Sequence, residues 1–354
     1  MSAQLSLFED IPVTAKFPTT RYQGSKQKFV SWIWECIKDI PFYTALDAFG
    51  GTGCVAYKLK QEEKQVTYND ILPFNYIIGK ALIENQDTVL EDWELETLLK
   101  PQPNVAYPHF IEETFKSIYF TDEENCWLDI VSTNIRNMLN PYKQAIAYFA
   151  LFQSSIIKRP YNLFHRKNLY VRLQDVERSF GNKKTWDTPF EVHFRKFVNE
   201  ANNAVFNSGE KCKACNLDVF DITSTYDLVY IDTPYLNESG IGVDYADFYH
   251  FLTGLVNYER WGELIDYRSK HLRLKRGDSV WNDANHIKDA FVRLFRQFQH
   301  SVLVISYRSN GVPTVEELIE MLENDGRNVK VYKSMEMKYV LSNKCSNEIL
   351  LVAQ

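Results

Sequence analysis

The chain runs to 354 residues, 45% hydrophobic and 14% aromatic, enough for a large buried core in one or two domains. A net charge of −6 excludes a uniformly basic nucleic-acid binder, so any contact with nucleic acid must come from a local concentration of Lys and Arg. Six scattered cysteines argue against a disulfide framework, no apolar run approaches the ~18–20 residues of a membrane span, and the N-terminus lacks a signal-peptide layout, which points to a cytoplasmic protein with no membrane partner.

Residues 1–16 read as a flexible tail. Gln27 to Ile40 carries Phe29, Trp32, Ile33, Cys36 and Ile37 at helical spacing. Thr44 to Phe49 reads as a buried strand running into Gly50-Gly51-Thr52-Gly53, and Val55 to Lys60 as the helix that follows. Gln65 to Tyr68 is a second strand closed by Asn69-Asp70, and Phe74 to Asn85 is helical. Strand patterns are sparse from 91 to 204. There Thr121-Asp122-Glu123-Glu124 opens a long helical run, and Pro141 can open another through Ile157. Strands resume at Asp227 to Ile231, Ser301 to Ser306, Val329 to Tyr332 and Glu348 to Val352. The layout predicts an α/β fold: a mixed, mostly parallel sheet formed by 17–90 plus 205–354, interrupted by a mainly helical insert over 91–204.

Asp232-Thr233-Pro234-Tyr235 follows the buried strand at 227–231, where open α/β sheets place ligands. The exocyclic amine of adenine is a poor nucleophile because its lone pair is delocalised into the ring. A carboxylate can accept a hydrogen bond from one amine hydrogen and a backbone carbonyl held by a following proline can accept from the other, drawing the nitrogen out of plane. Tyr235 offers a face for the base, with stacking worth roughly 1–3 kcal/mol against the few kcal/mol that flipping costs. The same four residues would also make an ordinary strand-end turn.

Asp47-Ala48-Phe49-Gly50-Gly51-Thr52-Gly53 lets a backbone approach a ligand closely, yet has neither the Lys-Ser/Thr of a phosphate loop nor the third glycine of a dinucleotide fingerprint. A nucleoside cofactor without phosphate fits such a turn, and so does a plain strand–helix connection. Asp70 ends the second strand, placed to accept from ribose hydroxyls or to cap the next helix. Tyr22 could flank an adenine ring and Lys26 could meet a carboxylate.

The order Tyr22-Gln-Gly-Ser-Lys26, Phe49-Gly-Gly-Thr-Gly53, Asn69-Asp70, an insert and then Asp232-Thr-Pro-Tyr235 resembles the Dam-type adenine-N6 DNA methyltransferases of the alpha arrangement, over nearly the whole chain. Ser301 to Tyr307 and Asn343 to Glu348 resemble the late strands of that family. The resemblance implies S-adenosylmethionine as cofactor, lined by Tyr22, Lys26, Asp47, Phe49, Gly51, Gly53 and Asp70, with Asp218 near its adenine and Asp232 bordering it. It implies catalysis by Asp232, the Thr233 carbonyl, Pro234 and Tyr235 on a flipped adenine of double-stranded DNA, and a cognate restriction enzyme as a partner. Thr233 stands where the family usually has a proline.

From Lys158 to Lys184 eight Lys and Arg face only Asp175 and Glu177, with Tyr161, Phe164, Tyr170 and Phe180 interleaved. That local concentration suits phosphate contact, with Lys158, Arg159, Arg166, Lys167 and Arg172 as candidates and the helical insert as target-recognition region. A second basic run, Arg268 to Arg276, carries less information. Cys212-Lys-Ala-Cys215 is a lone pair without the four ligands of a structural zinc, so no metal is expected. Gln4-Leu5-Ser6-Leu7-Phe8 resembles the peptide by which bacterial proteins dock on the sliding clamp. The competing functions are methylation of RNA or of a protein amide, and a non-catalytic DNA-binding partner subunit.

Overall fold

A computed structural model describes residues 15–176, 183–237, 240, 242–334, 337–338 and 345–354. The apolar and β-branched runs become a seven-stranded sheet: β1 (Thr44–Asp47), β2 (Gln65–Asn69), β3 (Lys213–Cys215), β4 (Leu228–Ile231), β5 (Val302–Arg308), β6 (Val329–Lys333) and β7 (Glu348–Ala353). The spatial order is β3-β2-β1-β4-β5-β7-β6, with only β7 antiparallel to its neighbours. This is the mixed, mostly parallel α/β sheet expected. The order reverses between β1 and β4, which pair directly, and an open sheet leaves a crevice beyond its strand ends at such a point.

Both faces of the sheet are covered, so its central strands are apolar throughout rather than alternating. Every residue of β4 and β7 is buried. Successive side chains feed two cores: Leu228 and Tyr230 belong to one, Val229 and Ile231 to the other. The smaller core is closed by α8 (Ile287–Gln297) and α9 (Val315–Asn324). The larger takes α1 (Val30–Ile37), α2 (Cys54–Gln61) and α3 (Pro73–Gly79, prolonged by a π turn over Lys80–Glu84).

The insert contributes α4 (Asp122–Arg136), α5 (Pro141–Ile157) and α6 (Phe190–Asn202), and α7 (His250–Val256) comes from the segment after β4. Thr121 and Glu124 form the reciprocal capping box, and Asn140 caps α5 with Pro141 in its first turn. From Ala145 to Ile157 every residue of α5 is buried, and the helix packs on both α6 and α3. The insert therefore shares one continuous core with a face of the sheet, and no break in packing marks 90 or 204.

Cys212 precedes β3, the edge strand, and Cys215 ends it. Their thiols are free, and Cys212 Sγ donates to the Lys64 carbonyl. Among the described residues no group of three His, Cys, Asp or Glu is placed to hold a metal, and no helix is long and apolar enough to cross a membrane.

Candidate active site

The crevice at the end of β1 is built by a turn that only small residues make. Gly51 and Gly53 take φ of +52° and +77°, where side chains are strained. Gly51 N–H points back to Asp70 Oδ2 at 2.9 Å, and Asn75 Nδ2 donates to the same oxygen at 3.0 Å. Asp70 Oδ1 accepts from Leu72 N–H at 2.8 Å, so this carboxylate joins the glycine turn to the start of α3. Burial pushes the Asp70 carboxyl up to about 6 despite these donors. Asp47, at the end of β1, is more enclosed. Its Oδ2 accepts from Ala56 N–H at 3.2 Å, whereas Oδ1 is buried without a partner. Burial, followed by the Asp232 carboxylate nearby, pushes Asp47 up to about 8.

The facing half hangs on Lys26. This lysine sits in a short 3-10 turn capped by Ser25 and is buried. Its Nζ lies 3.0 Å from Asp232 Oδ1 and 3.0 Å from Glu348 Oε1, and donates to the Tyr235 hydroxyl at 2.6 Å. The Tyr235 hydroxyl in turn donates to Asp232 Oδ1, and the ring stands edge-on to Tyr307 with centroids 5.3 Å apart. Burial raises the Asp232 carboxyl, Lys26 opposes the shift, and Glu348 adds to it. Thr233 is buried and its Oγ1 has no partner. Tyr22 stacks on Tyr249 at 4.5 Å and runs nearly parallel to Tyr245 at 5.5 Å.

The glycine turn, the three Asp carboxylates, Lys26 and Tyr235 border one cleft of about 570 Å³. Of the residues expected at a cofactor, Tyr22, Lys26, Asp47, Phe49, Gly51, Asp70, Asp218 and Asp232 line it, as do Thr233, Pro234 and Tyr235. Gly53 does not; it opens α2 and acts on the cleft only by shaping the turn. Asp218 caps a short 3-10 turn by accepting from Phe220 N–H at 3.0 Å.

Two features escaped the sequence reading. Glu348 is fully buried at the head of β7, bound to Lys26 and accepting from Ser306 Oγ at 2.6 Å. Its signal was an acid opening an apolar strand, since a buried charge needs a partner. Trp281 is the other: it meets Phe49 edge-on at 5.2 Å and stacks on Phe220 at 5.8 Å, and all three line the cleft.

Comparison with known proteins decides what this cleft belongs to. Residues 22–302 match the model of the D12 class N6 adenine-specific DNA methyltransferase family. The chain belongs to that family. It is 31% identical over 326 residues to the Type II methyltransferase M2.HphI of Haemophilus parahaemolyticus, an alignment covering 90% of this chain and 91% of that protein. It is 22% identical over 317 residues to the Type II methyltransferase M.NlaIII of Neisseria lactamica, covering 86% and 88%. With the Type II methyltransferase M.FokI of Planomicrobium okeanokoites it shares 25% identity over 351 residues, covering 92% of this chain and 50% of that one. The protein is a site-specific DNA methyltransferase acting on N6 of adenine.

The structure corrects the expected DNA contacts of this methyltransferase. Lys158, Arg159 and Arg172 are buried. Lys158 and Arg172 both pair with Glu124 at 2.7 Å, and Lys158 also donates to the Thr188 carbonyl. Arg159 lies over the Tyr119 ring and donates to the carbonyls of Tyr119, Leu163 and Arg166 and to Asn168. These three cations are buried inside the insert and bound to its own acceptors. Arg166 and Lys167 are exposed. Residues 177–182, which include Arg178 and Phe180, lie outside the described residues.

Proposed function

We propose that the methyl donor of this adenine-N6 methyltransferase is S-adenosylmethionine, held over Asp47, Phe49, Gly51, Asp70 and Asp218, and that Asp232 to Tyr235 hold the flipped adenine. The observation that carries this reading is the charge imbalance of the cleft. Asp47, Asp70 and Asp232 are enclosed around it, Lys26 is already shared between Asp232 and Glu348, and Asp47 Oδ1 has no partner. A ligand with cationic sulfonium and ammonium groups supplies the missing positive charge. Asp70 at the end of β2 suits ribose hydroxyls, and the aromatic wall of Phe49, Phe220 and Trp281 suits a purine.

When bound, the cofactor supplies an electrophilic methyl group; the rest falls to the chain. Lys26 and the Tyr235 hydroxyl occupy Asp232 Oδ1, and among the described residues no donor reaches Oδ2, which is left to accept one amine hydrogen of the target. The Thr233 carbonyl accepts the other, so the lone pair is freed from the ring. Lys26 opposes the upward shift that burial imposes on the Asp232 carboxyl. Tyr235 is fixed by Lys26, Asp232 and Tyr307 before a base arrives, so stacking costs little ordering. After transfer the methylated amine holds one proton too many, and Asp232 Oδ2 is the acceptor beside it.

The insert over 91–204 is the target-recognition region of this proposal, with Arg166 and Lys167 as its exposed candidates for phosphate contact. A cognate restriction enzyme and a sliding clamp bound through Gln4 to Phe8 complete the proposed partners; that peptide lies outside the described residues. The test is Asp232→Ala. Methyl transfer to DNA should fall at least ~10²–10³-fold, the loss typical of removing a preorganised partner of the reacting group, while S-adenosylmethionine binding stays within a few-fold. Retained turnover would show that the amine is held elsewhere.

A further inference from the structure

The second basic run, Arg268 to Arg276, reaches the cleft only at its C-terminal end, where Leu274, Lys275 and Arg276 line it. It holds five cations and no acid, in a chain of net charge −6. In the fold it is a small hairpin. Ile265 bridges Leu274, Asp266 N–H donates to the Arg273 carbonyl at 2.8 Å, and Lys275 N–H donates to the Leu264 carbonyl at 2.8 Å. Arg268 and Lys270 lie in the tip beside Tyr267, which is 65% exposed. Arg268 is 93% exposed and touches Asp266, an ion pair that solvent leaves weak, while Lys270 makes no ion pair among the described residues.

What places this hairpin is Tyr119, a fully buried residue just before α4. Its hydroxyl lies 2.7 Å from the Phe164 carbonyl, 2.7 Å from the His271 carbonyl and 2.8 Å from His250 Nε2. One hydroxyl hydrogen serves the carbonyls and the imidazole N–H completes the set. Phe164 also donates from its N–H to the Phe248 carbonyl at 2.9 Å. Two segments a hundred residues apart in sequence are thus clasped at one buried oxygen. One carries exposed Arg166 and Lys167 two and three residues beyond the clasp; the other carries Arg268 and Lys270, three and one residues before it. The hairpin's second limb then runs on into the wall of the catalytic cleft, from Leu274 to Asn282.

From this juxtaposition we propose that the hairpin over 265–275 is a second DNA arm, whose Arg268 and Lys270 grip the phosphate backbone together with Arg166 and Lys167 as one face. It rests on the reading of the cleft as the seat of a flipped adenine. The duplex around that base must stay outside a cleft of this size, beside the surface from which the cleft wall continues. A backbone contact of this kind positions the duplex and carries no sequence preference.

The experiment is the salt dependence of binding to duplex DNA, by fluorescence anisotropy between 50 and 200 mM salt. It compares the wild type, the pair Arg268→Ala/Lys270→Ala and the pair Arg166→Ala/Lys167→Ala. Each lost phosphate contact should make the slope of log Kd against log salt shallower by about 0.9, so each pair should lose about 1.8. The loss should be equal on duplexes of different sequence, with unchanged thermal stability. An unchanged slope for the 268/270 pair beside a shallower slope for the 166/167 pair overturns the second arm and leaves the reading of the cleft standing. Absence of duplex binding by the wild type overturns both.

Discussion

Binding of S-adenosylmethionine should expel a proton from the enzyme. Asp47 lies buried at the end of β1 with its carboxyl pushed up to about 8 by burial and by Asp232. A group of that pKa is about 0.9 protonated at pH 7. A cationic ligand beside it draws the anionic form, so about 0.9 proton should leave per ligand bound, and Asp70, pushed up to about 6, adds roughly 0.1. Titration calorimetry at pH 7 in buffers of different ionisation enthalpy counts these protons. The count should fall towards zero above pH ~9 and drop to about 0.1 in Asp47→Asn. The same shift acts on stability. The folded-state pKa lies above the ordinary carboxylate value of 3.8, so the native state holds a proton that the unfolded chain releases. That contribution is full below the ordinary value and is lost as pH rises towards about 8. The cofactor-free wild type should therefore lose more thermal stability between pH 5 and pH 8 than Asp47→Asn does. A proton count of zero at pH 7, or an equal count in the variant, would refute the charge argument for this cleft.

Three further outcomes follow from the same contacts. Glu348→Gln breaks a fully buried ion pair to Lys26 and should cost about 3–5 kcal/mol in urea unfolding, against about 1 kcal/mol for Ser306→Ala, which removes one hydrogen bond; equal costs would show that the pair is not the stabilising contact. Arg159→Met should destabilise the fold by about 1–3 kcal/mol for each carbonyl left without its donor, whereas Lys167→Ala should stay within ~0.5 kcal/mol and weaken DNA binding instead. Thr233→Pro should keep or raise kcat, because among the described residues no bond from the Thr233 N–H is lost and an unpartnered buried hydroxyl is removed; complete loss with the fold intact would mean that this loop works differently.

The fold was legible wherever local pattern and burial agree. The runs at 44–49, 227–231, 301–306 and 348–352 became strands because each is apolar enough to be covered on two sides, while 65–68 and the half-exposed edge run 329–332 follow from their β-branched and aromatic residues. β3 was hidden in the Cys212 to Cys215 segment, since three residues at a sheet edge leave no periodicity. The cleft was legible in its backbone-dependent parts, the glycine turn and the strand-end acids. Glu348 was not, because its role depends on Lys26, which approaches from the other end of the chain. Charge density pointed to the segment after α5 but could not separate its inner cations from its outer ones. Lys158 and Arg172 are claimed by Glu124, which caps a different helix. The clasp at Tyr119 follows from packing alone, and nothing in either basic run announces the other.

The central claim is that Asp232 to Tyr235 present an adenine amine to a methyl donor. Incubation of the purified enzyme with S-adenosylmethionine and genomic DNA, followed by mass-spectrometric analysis of the nucleosides, tests it most directly. N6-methyldeoxyadenosine and no modified cytosine are expected, with the initial rate of product formation at least ~10²–10³-fold lower in Asp232→Ala. Methylated cytosine, or an Asp232→Ala enzyme that forms N6-methyldeoxyadenosine at close to the wild-type rate, would contradict it.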